Sequence, residues 1–137
     1  MKIRFKKLHP LAKIPKKATV GSAGFDLTAV SVEDCPTCVK YHIGIAVEIP
    51  AGFVGLLYPR SSIVKLGAWP GNAVGVIDSD YRGEITLCLY YTHFPPYKAG
   101  ERVGQIIIAP IPDVEFEEAD ELSETARGTG GYGSTGK

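Results

Sequence analysis

The side chains in this sequence with chemistry to offer fall in a few short stretches. Asn72-Ala-Val-Gly-Val-Ile-Asp78-Ser-Asp-Tyr81-Arg-Gly-Glu carries an aspartate directly after Val76 and Ile77. A carboxylate anchored at a strand end can act as a general base, and an aspartate of ordinary acidity is ionised at pH 7. A turn aspartate bonded to its own backbone has the same sequence signature. Tyr58-Pro-Arg60-Ser61-Ser62 sets a guanidinium beside two hydroxyls after the strand-like FVGLLY. A guanidinium grips two phosphate oxygens at once, so this is anion chemistry. The plainer alternative is a surface turn and a short helix capped by serine. Gln105, inside the apolar RVGQIII, is either a core amide or a ligand group, and needs partners if buried. Gly21-Ser-Ala-Gly24-Phe-Asp26-Leu places Asp26 at a bend into a strand.

Two further patterns are weaker than they look. In the C-terminal RGTGGYGSTGK, Gly128, Gly130 and Gly133 fit G-x-G-x-x-G, and Gly131 to Lys137 begins G-x-x-x-x-G-K-[ST]. Both patterns hold phosphate only between a strand and a helix, whose N-terminal amides meet the anion. No helix-forming sequence follows here, so a mobile glycine-rich arm is expected instead. Cys35-Pro-Thr-Cys38 is a C-x-x-C with His42 four residues on. It has no second C-x-x-C to complete a zinc site and no helix signal to make a redox pair. With Cys88 the cysteines number three, too few and too odd for a disulfide framework, so they read as loop thiols.

The elements that must position these residues have period two. Ile43, Ile45, Val47 and Ile49 alternate with His42, Gly44, Ala46 and Glu48, and Ile85, Leu87, Leu89 and Tyr91 share a face. RVGQIIIAPI is a β-branched run suited to a more fully buried strand. Proline and glycine punctuate these runs at Pro50-Ala-Gly52, Pro70-Gly71-Asn72, Pro95-Pro96 and Lys98-Ala-Gly100. Short strands between frequent turns predict an all-β sandwich or barrel. Only Ser61 to Leu66 suits a turn or two of helix. Asp78 to Gly83 reads as the tip of a hairpin whose second strand starts near Ile85.

At 137 residues the chain suits one domain with a single core. Fifteen basic residues balance fifteen acidic ones, for a formal net charge of zero. That removes any general electrostatic reason to bind nucleic acid or an anionic membrane, while leaving room for a local anion site. No apolar run approaches the ~18 residues of a membrane span, and MKIRFKKLHP lacks a signal-peptide core, so a cytoplasmic location is the expectation.

Taken together and in order, the stretches resemble the trimeric dUTP diphosphatase (dUTPase) family. Ala23 to Ala29 (AGFDLTA) is similar to its first motif, and Pro59 to Ser62 (PRSS) to its second. Gly71 to Ile85 (GNAVGVIDSDYRGEI), Gly100 to Ile106 (GERVGQI) and Arg127 to Gly136 (RGTGGYGSTG) are similar to the third, fourth and fifth. The resemblance implies a jelly-roll β domain over 1–126 and a lid arm over 127–137. It implies a homotrimer with shared active sites that hydrolyses dUTP to dUMP and pyrophosphate with Mg²⁺. Asp78 would be the base that activates water. Asn72 and the backbone of Val76, Ile77 and Asp78 would read uracil, and Tyr81 would pack under the deoxyribose. Arg60, Ser61, Ser62 and Gln105 would hold phosphates. On the arm, Arg127, Gly133, Ser134 and Thr135 would wrap the triphosphate, and Tyr132 would stack on the base. Mg²⁺ would be carried mainly by substrate oxygens, with no direct protein ligand and Asp26 approaching it through water. Serine at 62 and tyrosine at 132 stand where the family often has glycine and phenylalanine.

Two other readings share the scaffold. The dCTP deaminases resemble Arg60-Ser61-Ser62 equally well, but this chain has Cys88 where their catalytic glutamate lies and Lys65 where they have arginine. A catalytically silent nucleotide-binding regulator would be expected to have lost the base or the tail, and both are present.

Overall fold

Alternating apolar residues and closely spaced turns build ten strands among residues 1–131, the part of the chain that the computed structural model describes. They are β1 (Arg4–Lys7), β2 (Phe25–Thr28), β3 (Ser31–Asp34), β4 (Val39–His42) and β5 (Ile45–Glu48). After these come β6 (Phe53–Tyr58), β7 (Ala68–Pro70), β8 (Gly75–Ile77), β9 (Thr86–Tyr91) and β10 (Arg102–Pro110). The one helical element among the described residues is a 3₁₀ turn over Ser61–Leu66, where a turn or two of helix was expected. Arg60 occupies its capping position and no side chain caps it, so the serine cap is not formed. No helix among the described residues is long and apolar enough to cross a membrane.

The strands form two four-stranded antiparallel sheets, β2-β10-β6-β8 and β3-β4-β9-β7, and a β1-β5 pair. One apolar cluster joins them. The first sheet supplies Leu27, Leu57, Ile77 and Ile106, the second Val39, Tyr41, Leu87 and Leu89, and the segment around β5 adds Ile43, Ile45 and Ile49. This is the all-β architecture that the turn spacing predicts, jelly-roll-like as the family resemblance implies.

Three local expectations need correction. The alternating run from His42 to Ile49 is two strands, because Gly44 at φ 71° breaks it and its N–H is held by Glu84 Oε1 at 2.8 Å. Central β10 is less buried than its composition suggests: Gln105, Ile107 and Ile108 are half-buried, since only one of its faces meets the core. Asp78 to Gly83 is not a hairpin tip. β8 pairs with β6 and β9 with β4 and β7, so this loop carries the chain from one sheet to the other. As a result β8 ends its sheet, and its outer edge has no strand partner among the described residues.

Cys35 and Cys38 flank the two-residue turn of the β3–β4 hairpin, with Cys35 N–H donating to Cys38 O at 2.9 Å. All three cysteines are free. Desolvation and the neighbouring Cys38 push the Cys35 thiol above its ordinary range, which keeps the reactive thiolate scarce.

Candidate active site

Antiparallel register places side chains from separate motifs in one row. Lys16 bridges Asp26, Asp26 pairs with Gln105, and Gln105 pairs with Tyr58. Directly opposed residues project from the same face, so Lys16, Asp26, Gln105 and Tyr58 line up across the sheet. Arg60 follows Tyr58 and its Nε lies 3.4 Å from Asp26 Oδ1. Arg102 Nη1 reaches Asp26 Oδ2 at 2.9 Å. Gln105 Nε2 donates to Pro59 O at 3.0 Å, which partners the half-buried amide. Gly24 leaves room beside it: a Cβ there would meet the Gln105 amide oxygen and displace that side chain. The first, second and fourth stretches thus meet at one end of this sheet, with Arg60 aimed by a carboxylate that is itself shared with a second guanidinium.

Ser61 is exposed at the start of the 3₁₀ turn. Ser62 Oγ lies 3.5 Å from Tyr97 Oη. Tyr97 is anchored in turn. The hydroxyl of buried Tyr41 donates to Tyr97 O at 3.2 Å and accepts from Tyr97 N–H at 3.1 Å, and the rings meet edge to face at 6.0 Å. Burial pushes the Tyr41 hydroxyl to a pKa of about 12, so it stays a donor. This chain of contacts ties the serine turn to the core.

The third stretch builds a separate feature along the free edge of β8. An edge strand presents unpaired N–H and C=O groups. Asn72 stands exposed just before it, where Val74 N–H donates to Asn72 O at 2.5 Å around Ala73, the one non-glycine with positive φ among the described residues (54°). Asn72 and Gly75 line a cleft of about 410 Å³ with Tyr58, Pro59, Cys88 and Tyr90. At the far end of β8, exposed Asp78 closes a turn through its main-chain oxygen, which accepts Tyr81 N–H at 3.2 Å. Its carboxylate makes no hydrogen bond among the described residues, unlike the self-bonded turn aspartate weighed from sequence. Val76 is exposed and Ile77 buried.

Tyr81 is held by groups that sequence reasoning did not single out. Its hydroxyl donates to Glu84 O at 3.0 Å, and Arg82 Nη1 straps the loop through Ser79 O and Tyr81 O. The Glu84 carboxylate accepts Gly44 N–H and faces His42 Nδ1 at 2.9 Å. His42 Nε2 faces Glu33, which also takes Lys40. Hydrogen bonds to Glu84 and then Glu33 raise the His42 pKa, and those from Lys40 and His42 lower that of Glu33. Arg102 and Glu84 both lie inside the quoted stretches, but only pairing across the sheets reveals their partners.

Asn72 lies near the Arg60 end of β6, but Asp78 and Arg60 are far apart within one chain. Gly55 pairs with Ile77 and Leu57 with Gly75, so Asp78 sits at the Val54 end of β6 while Arg60 lies beyond the Tyr58 end. At about 3.3 Å per strand residue the separation is roughly 15–20 Å. Arg127 joins neither feature: its Nε donates to Gly130 O at 2.8 Å within an exposed local turn. Tyr132, Gly133, Ser134 and Thr135 lie outside the described residues.

The dUTPase family model matches residues 11–136. A deoxyuridine 5'-triphosphate nucleotidohydrolase of Wolinella succinogenes is 40% identical, covering 100% of this chain and 95% of its own. One from Acinetobacter baumannii is 41% identical, covering 100% and 99%. Among solved structures, a dUTPase variant of Staphylococcus bacteriophage 80alpha with dUpNHpp superposes with a TM-score of 0.86 at 24% identity, over 99% of both chains. A dUTPase variant from phage phi11 of S. aureus, described with a coordinated structural Mg(II) ion, gives 0.75 at 20% identity over 89% of this chain and 99% of its own.

Proposed function

This chain belongs to the dUTPase family, and we propose that it is a dUTP diphosphatase whose active site is completed by a second copy of itself. The observation that carries the reading is the family match across nearly the whole chain, onto which the exposed Asp78 and the Arg60–Asp26–Gln105 cluster fall.

Uracil pairs with the free edge of β8 and with Asn72. Tyr81, fixed through Glu84 O, lies under the deoxyribose and leaves no room for a ribose 2′-hydroxyl, a discrimination by repulsion. The Asp78 carboxylate takes a proton from water as its oxygen attacks the α-phosphorus. The α–β bridging P–O bond breaks and pyrophosphate leaves. A general base must be within hydrogen-bond reach of that water. A nucleotide laid with its base at Asn72 and its α-phosphorus at Asp78 sends its β- and γ-phosphates away from its own chain's Arg60. Arg60, Ser61, Ser62 and Gln105 therefore serve a nucleotide held by a neighbour's β8.

Apolar surface on the same sheet supports that arrangement. Ile107, Leu56 and Val76 lie in register as the row next to Gln105 and Tyr58, and Val76 is 59% exposed. Beyond β10, residues 111–129 are exposed throughout, including Val114, Phe116 and Leu122. Apolar side chains in such a segment are covered by association, and closed symmetry with three copies is the family's arrangement. The arm then brings Arg127, Gly133, Ser134 and Thr135 to the phosphates and Tyr132 to the base, excluding water as it closes.

The residues fit Mg²⁺ carried by the substrate. Both Asp26 oxygens face guanidinium groups, which leaves Asp26 a contact through water. When bound with the triphosphate, Mg²⁺ would supply charge neutralisation to the phosphate oxygens that Arg60, Ser61, Ser62 and Gln105 hold.

Pyrophosphate release from dUTP, dCTP, dTTP and UTP, with and without Mg²⁺, tests the function. Rapid turnover of dUTP alone, dependent on Mg²⁺, is expected. Equal turnover of UTP would overturn the role given to Tyr81, and ammonia release from dCTP would point to a deaminase.

A further inference from the structure

A cavity of about 760 Å³ opens at the Arg60 end of the sheet. It is far more basic than a chain of zero net charge leads one to expect. Lys7, Lys13, Lys16, Lys17, Arg60 and Arg102 line it, against only Asp26 and Glu101. The two carboxylates are already engaged: Asp26 with Arg60 and Arg102, Glu101 with Lys98 N–H at 2.7 Å. None of the four lysines forms an ion pair among the described residues. No carboxylate among the described residues neutralises their charge.

The lysines are also positioned rather than scattered. Asp26 N–H donates to Lys16 O at 2.8 Å, which pins the Lys13–Ala18 segment beside β2. Lys16 thereby joins the row of Asp26, Gln105 and Tyr58, one strand out from the phosphate-holding groups. The Lys17 ammonium lies 5.3 Å from the Phe25 ring centroid, a cation–π contact that restrains it. Convergent cations around a concave surface concentrate field and select multiply charged anions over single ones.

We infer that this lysine bay is a pyrophosphate subsite: Lys13, Lys16 and Lys17 hold the inorganic pyrophosphate after it leaves the dUMP, in a bay continuous with Arg60. The inference rests on the proposed dUTP hydrolysis for its ligand but not for its site. The bay touches the departing group alone, so it affects pyrophosphate and leaves dUMP binding untouched.

Calorimetric titration of inorganic pyrophosphate into the full chain, without Mg²⁺, tests it. The triple variant Lys13→Gln, Lys16→Gln, Lys17→Gln is compared with wild type and with a control triple at Lys2, Lys6 and Lys65, none of which lines the bay. The bay triple is expected to weaken pyrophosphate binding about tenfold or more, with the loss shrinking at high salt as charge is screened. The control triple and the Lys→Arg version of the bay triple should retain affinity, because charge and place persist. As a kinetic readout, the inhibition constant for pyrophosphate should rise in the bay triple while that for dUMP stays fixed. Equal pyrophosphate affinity in wild type and bay triple would overturn the inference. So would an equal loss in the control triple, which would make the effect one of bulk charge. If wild type turned over no dUTP yet lost pyrophosphate binding in the bay triple, the subsite would stand and the proposed function would fall.

Discussion

Asp78 and Tyr41 show how differently single residues serve this molecule. Asp78 is exposed, and its carboxylate is uncommitted among the described residues. Asp78→Asn should therefore leave stability and dUTP binding near wild type while turnover falls about 10²–10⁴-fold, the usual worth of a general base. Single-turnover kinetics beside a binding measurement separates the two effects, and near-wild-type turnover would place the base elsewhere. Tyr41 is fully buried and touches no substrate in the proposed mechanism. Its hydroxyl both donates to and accepts from the Tyr97 backbone. Tyr41→Phe strands a buried N–H and C=O, so it should cost about 1–3 kcal/mol in urea unfolding. An unchanged midpoint would show that the Tyr97 backbone finds other partners.

At the scale of elements, the decisive object is the loop that leaves β8 and enters β9. It carries Asp78 and Tyr81 and is clamped at Glu84, whose carboxylate meets β4 through His42 and the β4–β5 junction through Gly44. Both ring nitrogens of His42 face carboxylates, a geometry satisfied fully only by the protonated ring. Its pKa is raised in the folded protein, so its stabilisation is present below the unfolded value of about 6.5 and is lost as pH rises through the folded value. Glu33, lowered in the fold, acts in the opposite sense: its contribution is present above the unfolded carboxylate range and disappears as pH falls through the lowered value. The stability difference between wild type and His42→Gln should be largest between those limits and should shrink as the pH climbs above about 6.5. Thermal melts across pH 5 to 9 read this directly, and a difference that stays flat or grows toward pH 9 contradicts the linkage.

On the proposed reading, one chain alone is an incomplete machine. The proposed base and the proposed phosphate grip occupy opposite ends of the β6–β8 pairing, too far apart for one nucleotide to use both on the same chain. Arg60→Ala and Asp78→Asn chains, each inactive alone, should regain activity when unfolded and refolded together. Random assembly in a closed symmetric oligomer lets about a quarter of the sites draw both intact residues from different chains. Co-refolded mixtures as inactive as their parents, with oligomers confirmed by light scattering, would return the whole site to one chain.

Much of this was legible from sequence because its cause is local. Period-two alternation and Pro/Gly punctuation specify short strands, and the Ser61–Leu66 turn follows from a few neighbouring residues. The stretches around Arg60, Asp78, Tyr81 and Gln105, in order, were enough to mark a family resemblance, and the resemblance implies a chemistry. Pairing partners are not local. The alternation from His42 to Ile49 cannot say that Gly44 breaks it, because the break depends on Glu84, forty residues away. Nor can the run from Gly75 to Tyr91 say that its two strands join different sheets. Lys13, Lys16 and Lys17 are three unremarkable basic residues in a neutral chain until one bridge to Asp26 sets them beside Arg60. The sequence determined which groups the protein owns and how its strands are spaced. Register across the sheets, a sum of many distant contacts, decided which groups share one end of a sheet and which stand apart.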